Sequence, residues 1–249
     1  MDEFKRPDQF SRIGMLIGDD GVEKLKSASV AVFGLGGVGS FAAEALARSG
    51  VGSFLLVDGD KVEVTNINRQ LVATCETIGQ EKTSVMEKRI KSVNPEACVK
   101  AMTIFYGEDN ADQVDLSGFS YVVDAIDTVS AKLALAERAI GSGIPIISSM
   151  GAGNRISSAG MEVADISETS VCPLAKVMRK ELRGRGIEHL KVVYTKAPYL
   201  TPKRDGNALP QSDAPGRPIK RRVPGSIIFA PATAGILMAE EVIRDLLMH

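Results

Sequence analysis

The sequence predicts an α/β protein with a mainly parallel sheet flanked by helices. Apolar runs that suit buried strands alternate with amphipathic runs that suit helices, in the order βαβαβ and, further along the chain, βαβ. A glycine-rich turn directly follows the first of these strands. Because parallel strands are joined by right-handed crossovers, the pattern predicts a Rossmann-like sheet whose ligands bind beyond the carboxyl ends of the strands.

The first βαβ unit occupies residues 29–60. Residues 30–33 form an apolar run that is typical of a buried parallel strand. An alanine-rich helix is predicted over 41–48, with Gly50 placed to end it, and a second strand over 54–57. The unit therefore brings two strand ends and one helix start to the same edge of the sheet.

Three regularly spaced glycines form the turn between that strand and the helix. Gly34 allows a tight turn, Gly36 allows the backbone to approach a phosphate, and Gly39 allows helix and strand to pack closely. The free N–H groups and the positive dipole end of the helix then face the anion. Asp58 follows about 20 residues later, where an acid can bind a ribose hydroxyl. The spacing predicts a nucleotide site but leaves NAD and ATP open.

Polar residues are dense beyond the second strand, from Asp60 to Gln70. Within this stretch, Arg69 can pair with a phosphate through two parallel hydrogen bonds. Lys82 stands at the start of the next predicted helix, 83–93, where a cation opposes the helix dipole. A lysine in that place is either a plain surface residue or one that faces a phosphate, and the pattern alone leaves both open.

The remaining elements continue the alternation. Short helices are expected within residues 1–28, because glycines interrupt the helical spacing there. The other predicted strands are 99–105, 121–127, 144–149 and 161–166, the last of which faces a different partner. The other predicted helices are 130–140, a basic helix 172–182 with Leu174, Val177, Met178 and Leu182 inward, and 231–248.

Composition and charge restrict the class of protein. The chain has 249 residues, 44% of them hydrophobic and 24% charged, which is ordinary for a soluble globular protein. The formal net charge is −1, so contact with nucleic acid requires a local basic patch. The N-terminus has no apolar signal core, and the longest apolar run, 227–239, is too short to span a bilayer. A cytoplasmic protein without membrane contact is expected.

The three cysteines are scattered along the chain. Cys75, Cys98 and Cys172 form no disulfide framework and no CxxC pair, so a structural zinc site is not expected. Cys172 precedes Pro173 and is either a small apolar residue at a helix start, the interpretation that we favour, or a reactive catalytic cysteine.

Residues 196–225 differ from the rest of the chain because they are rich in proline and basic residues. The basic residues are Lys203, Arg204, Arg217, Lys220, Arg221 and Arg222. The segment is either a surface loop or a lid or arm that binds a polyanion, and its composition favours neither.

Four segments together resemble one family. They are GLGGVGS at 34–40, VDGDKVEVTNINRQ at 57–70, GQEKTSVMEKRI at 79–90 and VVDAIDTVSAK at 122–132. This combination resembles the ThiF/MoeB superfamily of ubiquitin-activating-type adenylyltransferases. The resemblance implies a single ATP-binding domain over residues 1–249, with a C-terminal antiparallel extension of the sheet. It also implies a crossover which, with the basic, proline-rich loop, spans about 168–225.

The resemblance also implies roles for individual residues. Arg69 and Lys82 would hold the triphosphate, Asp127 would coordinate Mg²⁺, and Arg12 would reach the ATP site of a partner protomer. A homodimer is therefore expected. The residues that would bind the nucleotide are Gly34, Gly36, Gly37, Gly39, Asp58, Asp60, Asn66 and Gln70. The implied reaction is attack of a substrate carboxylate on the α-phosphate of ATP, which gives an acyl-adenylate and pyrophosphate.

A narrower resemblance is to the tRNA threonylcarbamoyladenosine dehydratases of that superfamily. It lies in FSRIGMLIG at 10–18, SSMGAGN at 148–154 and VADISETSVCPLAKVMRKELR at 163–183, and in the absence of zinc cysteines. It implies ATP-dependent cyclisation of threonylcarbamoyladenosine at position 37 of tRNA, with tRNA as substrate and a sulfur-transfer protein as a further partner. Three alternatives stay open: an adenylyltransferase for the C-terminus of a ubiquitin-like sulfur carrier, a non-catalytic nucleotide-binding module, and an NAD-dependent oxidoreductase.

Overall fold

The computed structural model describes residues 7–203 and 224–248. Most of the basic, proline-rich segment, residues 204–223, therefore lies outside the described residues. The strands are β1 Ser29–Phe33, β2 Ser53–Val57, β3 Cys98–Met102, β4 Tyr121–Asp124, β5 Ile146–Ser149, β6 Met161–Asp165 and β7 Lys191–Thr195. The helices are α1 Ser11–Ser27, α2 Gly39–Arg48, α3 Lys82–Val93, α4 Val129–Gly141, α5 Pro173–Gly184 and α6 Phe229–Met248.

The strands form one sheet in the order β3-β2-β1-β4-β5-β7-β6. Strands β1 to β5 and β7 are parallel, and β6 pairs with β7 in the antiparallel direction. The predicted mainly parallel sheet with an antiparallel extension is thereby confirmed. The chain winds from β1 outward to β3 and then returns to place β4 on the other side of β1. The strand order reverses at this point, which is where doubly wound sheets bind ligands.

Helices cover both faces of the sheet. The buried side chains of α2, α3 and α6 form one apolar cluster with one face of the sheet, for example through Leu46, Met86 and Met238. Those of α4 and α5 form a second cluster on the opposite face, for example through Leu135 and Met178. Two-sided burial explains why the inner strands β1, β2 and β4 are near-continuous apolar runs rather than alternating ones. Among the described helices, none is long and apolar enough to cross a membrane.

Several predicted elements differ from the observed ones. Strand β7 was not predicted, although KVVYT has the β-branched and aromatic residues that strands favour. The short helices expected within residues 1–28 are confirmed, because α1 consists of two helical stretches joined at Gly18, whose φ of 73° is not helical. The predicted inward position of Val177 is wrong, because this side chain is 44% exposed while Met178 and Leu182 of the same helix are buried.

Two strands are shorter than predicted because their ends fold into turns. Strand β4 ends at Asp124, whose Oδ1 accepts a hydrogen bond from the backbone N–H of Ile126 at 3.1 Å. Strand β3 ends at Met102, whose carbonyl accepts from the N–H of Ile104 at 3.1 Å. Both turns direct the following residues into a cleft at the carboxyl edge of the sheet.

Candidate nucleotide-binding site

A cleft of about 440 Å³ lies at the carboxyl edge of the sheet, beside the reversal of strand order. Its walls come from the segments that follow β1, β2, β3, β4 and β5, and from the start of α6. The predicted site residues that line it are Gly34, Gly36, Gly37, Asp58, Asp60, Asn66, Arg69, Gln70, Lys82 and Asp127. Residues that are distant in sequence are therefore brought to one site by the parallel topology.

The glycines of the turn after β1 have different physical roles. Gly34 has a φ of 85°, and a Cβ there would lie 2.6 Å from the carbonyl oxygen of Ala125. A Cβ on Gly39 would lie 1.8 Å from the carbonyl oxygen of Gly34, so only glycine permits this packing of helix on strand. At Gly36 the space is open, and the nearest atom to an added Cβ is Gln70 Nε2 at 3.9 Å. The Gly36 backbone is thus accessible from the cleft, as an approach to phosphate requires.

Gly39 and Arg12 do not line the cleft. Gly39 is buried at the first position of α2, so its contribution within the described residues is to packing rather than to direct contact with a ligand. Arg12 is exposed in the first turn of α1. Its expected role involves a second protomer and stays a prediction.

Asp58, Asp60 and Lys82 form a charged cluster on one wall. Lys82 is the first residue of α3, and its Nζ lies 2.8 Å from Asp60 Oδ2 and 3.9 Å from Asp58 Oδ1. Asp58 Oδ2 accepts from the N–H of Leu35 at 2.6 Å, and Asp58 Oδ1 from that of Asp60 at 2.8 Å. The two carboxylates offset the unfavourable position of a lysine at a helix N-terminus. The ammonium is thereby held in the cleft rather than on a plain surface.

Burial dominates the acid–base behaviour of Asp58. Its removal from water raises the pKa of the carboxyl, although the Lys82 ammonium and the two backbone donors act in the opposite direction. The carboxylate therefore takes up a proton at a higher pH than an exposed aspartate does. A ligand hydroxyl that donates to the carboxylate should bind less well when the group is protonated.

Arg69 belongs to a turn that begins with the short 3₁₀ helix Val64–Asn66. Its Nη1 donates to the carbonyl of Thr65 at 2.7 Å and to Asn68 Oδ1 at 3.1 Å. Burial lowers the pKa of Arg69, but a guanidinium remains charged at neutral pH. Asn66 stabilises the same turn, since its Oδ1 accepts from the N–H of Glu63 at 3.2 Å. The turn thus holds a cation in the wall of the cleft.

Gln70, which ends this turn, has an unsatisfied buried acceptor. Its Oε1 accepts no hydrogen bond within the described part of the chain, and the residue is only 7% exposed. A buried acceptor without a partner is costly, which makes a ligand donor a natural partner.

A fully buried ion pair lies beneath the turn that carries Asp127. Lys132 Nζ and Asp124 Oδ2 are 2.9 Å apart, and both side chains are 0% exposed. The Ser148 hydroxyl donates to the same carboxylate oxygen at 2.6 Å. The network connects β4, α4 and β5, and its Asp124 also fixes the N–H of Ile126. It therefore holds both the exposed Asp127 and the end of β5 in place.

Sequence reasoning missed two walls of the cleft. One is formed by Ile104, Phe105 and Tyr106 after β3, where the Phe105 ring packs on Gly59. The other is the loop 151–153 after β5, together with Leu174 of α5. Their place depends on strand order, which no local spacing encodes. The signal available for the second wall was the pair Gly151 and Gly153 directly after a strand.

Arg155 supports the loop 151–153 from behind. It is 3% exposed, and its Nη1 donates to the carbonyls of Gly151 at 2.9 Å and Gly153 at 3.2 Å. Cys172 is also buried behind this loop, 3.9 Å from where a Cβ of Gly151 would be, and belongs to an apolar cluster. This position agrees with a small apolar residue at a helix start.

The fold and the cleft define a nucleotide-binding α/β domain with a glycine-rich phosphate turn at its switch point. The chain belongs to the ThiF family, which matches residues 10–249. This confirms the resemblance that the four sequence segments indicated.

Individual relatives are similar over nearly the whole chain. The tRNA threonylcarbamoyladenosine dehydratase of Bacillus subtilis (strain 168) is 44% identical over 240 residues, which cover 96% of this chain and 94% of that protein. The crystal structure of E. coli tRNA N6-threonylcarbamoyladenosine dehydratase, TcdA, in complex with ATP superposes with a TM-score of 0.83 at 32% identity, covering 96% of this chain and 94% of that one. The sulfur carrier protein adenylyltransferase of Thermus thermophilus is 36% identical over 131 residues, or 53% of this chain and 48% of that protein.

Proposed function

We propose that this protein is an ATP-dependent enzyme that dehydrates threonylcarbamoyladenosine at position 37 of tRNA, closing it to the cyclic form through a carboxyl-adenylate. The observation that carries the proposal is the similarity to the B. subtilis dehydratase across 96% of this chain. This similarity includes the end of β5 and helix α5. It therefore extends beyond the glycine-rich half, which nucleotide-binding α/β domains share.

The cleft is suited to ATP. It offers an accessible backbone at Gly36, an orphaned acceptor at Gln70, a carboxylate at Asp58 for a ribose hydroxyl, and two cations, Arg69 and Lys82, for the triphosphate. The cations and the start of α2 lie where a polyanion would need them. ATP is also the ligand of the related E. coli TcdA structure.

Mg²⁺ would accompany the nucleotide. Within residues 7–203 and 224–248, no cluster of three or more His, Cys, Asp or Glu side chains could hold a metal ion. Mg²⁺ in phosphoryl-transfer sites needs only one or two carboxylates, because phosphates and water complete its shell. Asp127, exposed at the cleft, suits that role. The ion would neutralise charge on the phosphates.

In the first chemical step, an oxygen of the substrate carboxylate attacks the α-phosphorus of ATP. The bond from the α-phosphorus to the bridging oxygen breaks, and pyrophosphate leaves with its electrons. Arg69 and Lys82 stabilise the charge that develops on the phosphates, and fixed cations in a partly buried cleft do so at little reorganisation cost. The step needs positioning more than proton transfer, so the absence of a histidine among the described residues of the cleft is no obstacle.

In the second step, the oxygen or a nitrogen of the carbamoyl group attacks the activated acyl carbon. The bond from this carbon to the AMP oxygen breaks, AMP leaves with the electron pair, and one carbamoyl N–H proton is released to water. The ring closes within one molecule, so no enzyme thioester is required. The net change in the nucleoside is loss of one water, while ATP becomes AMP and pyrophosphate. The buried Cys172 has no part in this scheme.

The alternative is adenylation of the C-terminus of a ubiquitin-like sulfur carrier. The partial similarity to the T. thermophilus adenylyltransferase favours it, but this covers only 53% of the chain. Incubation with ATP and a carrier that ends in Gly-Gly, followed by mass spectrometry of the carrier, would detect the adenylate. If the protein forms the carrier-adenylate but does not dehydrate tRNA, its function is that of the adenylyltransferase and the dehydratase assignment is wrong.

We further propose that the protein is a cytoplasmic homodimer and that a sulfur-transfer protein is a partner. Arg12 would enter the partner protomer's nucleotide site. Light scattering at micromolar concentration should give the mass of two chains. A monomer under those conditions would refute the dimer and the role of Arg12.

The decisive experiment for the function is nucleoside mass spectrometry. Threonylcarbamoylated tRNA is incubated with protein and ATP, digested and compared with reactions that lack ATP. The proposal predicts a modified nucleoside lighter by one water that appears only with ATP. An unchanged nucleoside would overturn it.

A further inference from the structure

Helix α5 presents a row of cations that starts at the rim of the cleft. Leu174, in its first turn, lines the cleft and lies 3.8 Å from where a Cβ of Gly151 would be. Lys176, Lys180 and Arg183 follow at spacings of four and three residues, which places them on one face of the helix over about 10 Å of its length. All three are exposed. We call these three residues the α5 basic row.

The row is held in a fixed position relative to the cleft. The opposite face of α5 is buried through Ala175, Met178 and Leu182, which are at most 1% exposed. Arg179 is used structurally, since its Nη1 donates to the carbonyls of Ile166 at 3.1 Å and Thr169 at 2.9 Å. The basic row therefore projects from a rigid element rather than from a loop.

Several other exposed cations are paired with carboxylates, whereas the exposed Lys88 and Lys100 have no carboxylate within ion-pair distance among the described residues. Arg89 pairs with Glu44 at 2.7 Å, Arg185 with Glu137 at 2.5 Å, and Lys196 with Glu162 at 2.7 Å. Among the described residues, no carboxylate lies within ion-pair distance of the α5 basic row. Its charge is thus available to an external anion. With a formal net charge of −1, any affinity for a polyanion must come from such local patches.

We infer that the α5 basic row binds the phosphate backbone of tRNA and leads the modified nucleoside into the cleft beside Leu174. The inference rests on the proposed function and adds the surface that the substrate contacts. Lysines and arginines on one rigid face, without internal partners, provide the sequence-independent part of nucleic-acid affinity. The row follows Leu174, which lines the cleft together with residues 151–153 after β5, whereas the phosphate turn at Gly36 follows β1, and β4 lies between these two strands. The nucleic acid would therefore enter on the side away from ATP.

The test compares two double variants with the same change in charge. Lys176→Ala/Lys180→Ala removes two cations of the row, and alanine suits an exposed helix. The control, Lys88→Ala/Lys100→Ala, removes two exposed lysines from α3 and from edge strand β3, at the other end of the sheet. Steady-state dehydration of threonylcarbamoylated tRNA is measured at several salt concentrations, with ATP affinity measured separately.

The row variant should raise the KM for tRNA at least about fivefold, while kcat and ATP affinity change by less than about twofold. The slope of log KM against log salt should fall by roughly 1.4 to 1.8, and further when Arg183→Ala is added. The control should behave as the wild type. Suppose that the wild-type protein is active. If the KM for tRNA of both double variants then equals the wild-type value, or rises by the same factor in both, the inference is overturned while the proposed function stands. If the wild-type protein dehydrates no tRNA, the proposed function fails and the inference falls with it.

Discussion

Alanine substitutions at Gly39 and Gly36 in the phosphate turn distinguish a glycine that is needed for packing from one that is needed for contact with the ligand. In Gly39→Ala, the new Cβ would lie 1.8 Å from the carbonyl oxygen of Gly34 and 3.1 Å from Ala125 Cβ. The first contact is to backbone, so α2 and β1 must separate by more than about 1 Å, which a close-packed interior resists. Overpacking typically costs about 1–3 kcal/mol, and a backbone clash belongs at the upper end, so we expect a loss of about 3 kcal/mol in the free energy of unfolding.

Gly36→Ala is the matched control, because its Cβ would meet nothing closer than Gln70 Nε2 at 3.9 Å. The free energy of unfolding should change by less than about 1 kcal/mol. The added methyl group would stand between the backbone and a phosphate, so ATP affinity should fall at least about tenfold, or ~1.4 kcal/mol.

Urea unfolding and calorimetric ATP titration of both variants are the assays. With a slope of about 1–3 kcal/mol/M, the Gly39→Ala midpoint should drop by roughly 1 M or more. A Gly39→Ala protein with the wild-type midpoint would refute the packing role. A Gly36→Ala protein that binds ATP as tightly as the wild type would refute the approach of backbone to phosphate.

Three further predictions concern side chains of the site. Arg69→Ala or Asp127→Ala should abolish adenylate formation, measured as pyrophosphate release, with little change in the unfolding midpoint; full activity in either variant would show that the residue was wrongly assigned. Lys132→Met leaves Asp124 buried without its ammonium and should cost about 3–5 kcal/mol in urea unfolding; a loss below about 1 kcal/mol would contradict that structural role. Because burial raises the pKa of Asp58, ATP affinity should decline as the pH falls through that raised pKa, and Asp58→Asn should remove this part of the pH dependence; identical profiles would exclude Asp58 as the ribose ligand.

The part of the site that the sequence predicted consists of residues that lie close together along the chain. Gly34, Gly36 and Gly39 stand in one turn between a strand and a helix, so their spacing carries the geometry directly. That Arg69 and Lys82 bind phosphate stays a prediction, which rests on the family resemblance and, for Arg69, also on its position in the polar stretch after the second strand. The structure adds that Lys82 reaches Asp60 across 22 positions of sequence at 2.8 Å.

The part that sequence did not predict depends on strand order and tertiary contacts. Residues 104–106 and 151–153 line the same cleft only because β3 and β5 lie on opposite sides of the β1–β4 reversal. Strand β7 enters the sheet between β5 and β6, out of chain order, and local pattern does not reveal such an insertion. The exposure of Val177 follows from how α5 rotates against its neighbours, which a helical repeat fixes only approximately.

Oxygen-isotope transfer tests most directly whether the cleft couples ATP to a carboxylate on tRNA. Threonylcarbamoylated tRNA labelled with heavy oxygen in the carboxyl group is incubated with the protein and ATP, and the released nucleotide is analysed by mass spectrometry. Attack of the carboxylate on the α-phosphorus predicts AMP that carries one labelled oxygen, together with a cyclic nucleoside that has lost one. Unlabelled AMP, or ADP with the label in inorganic phosphate, would contradict a carboxyl-adenylate.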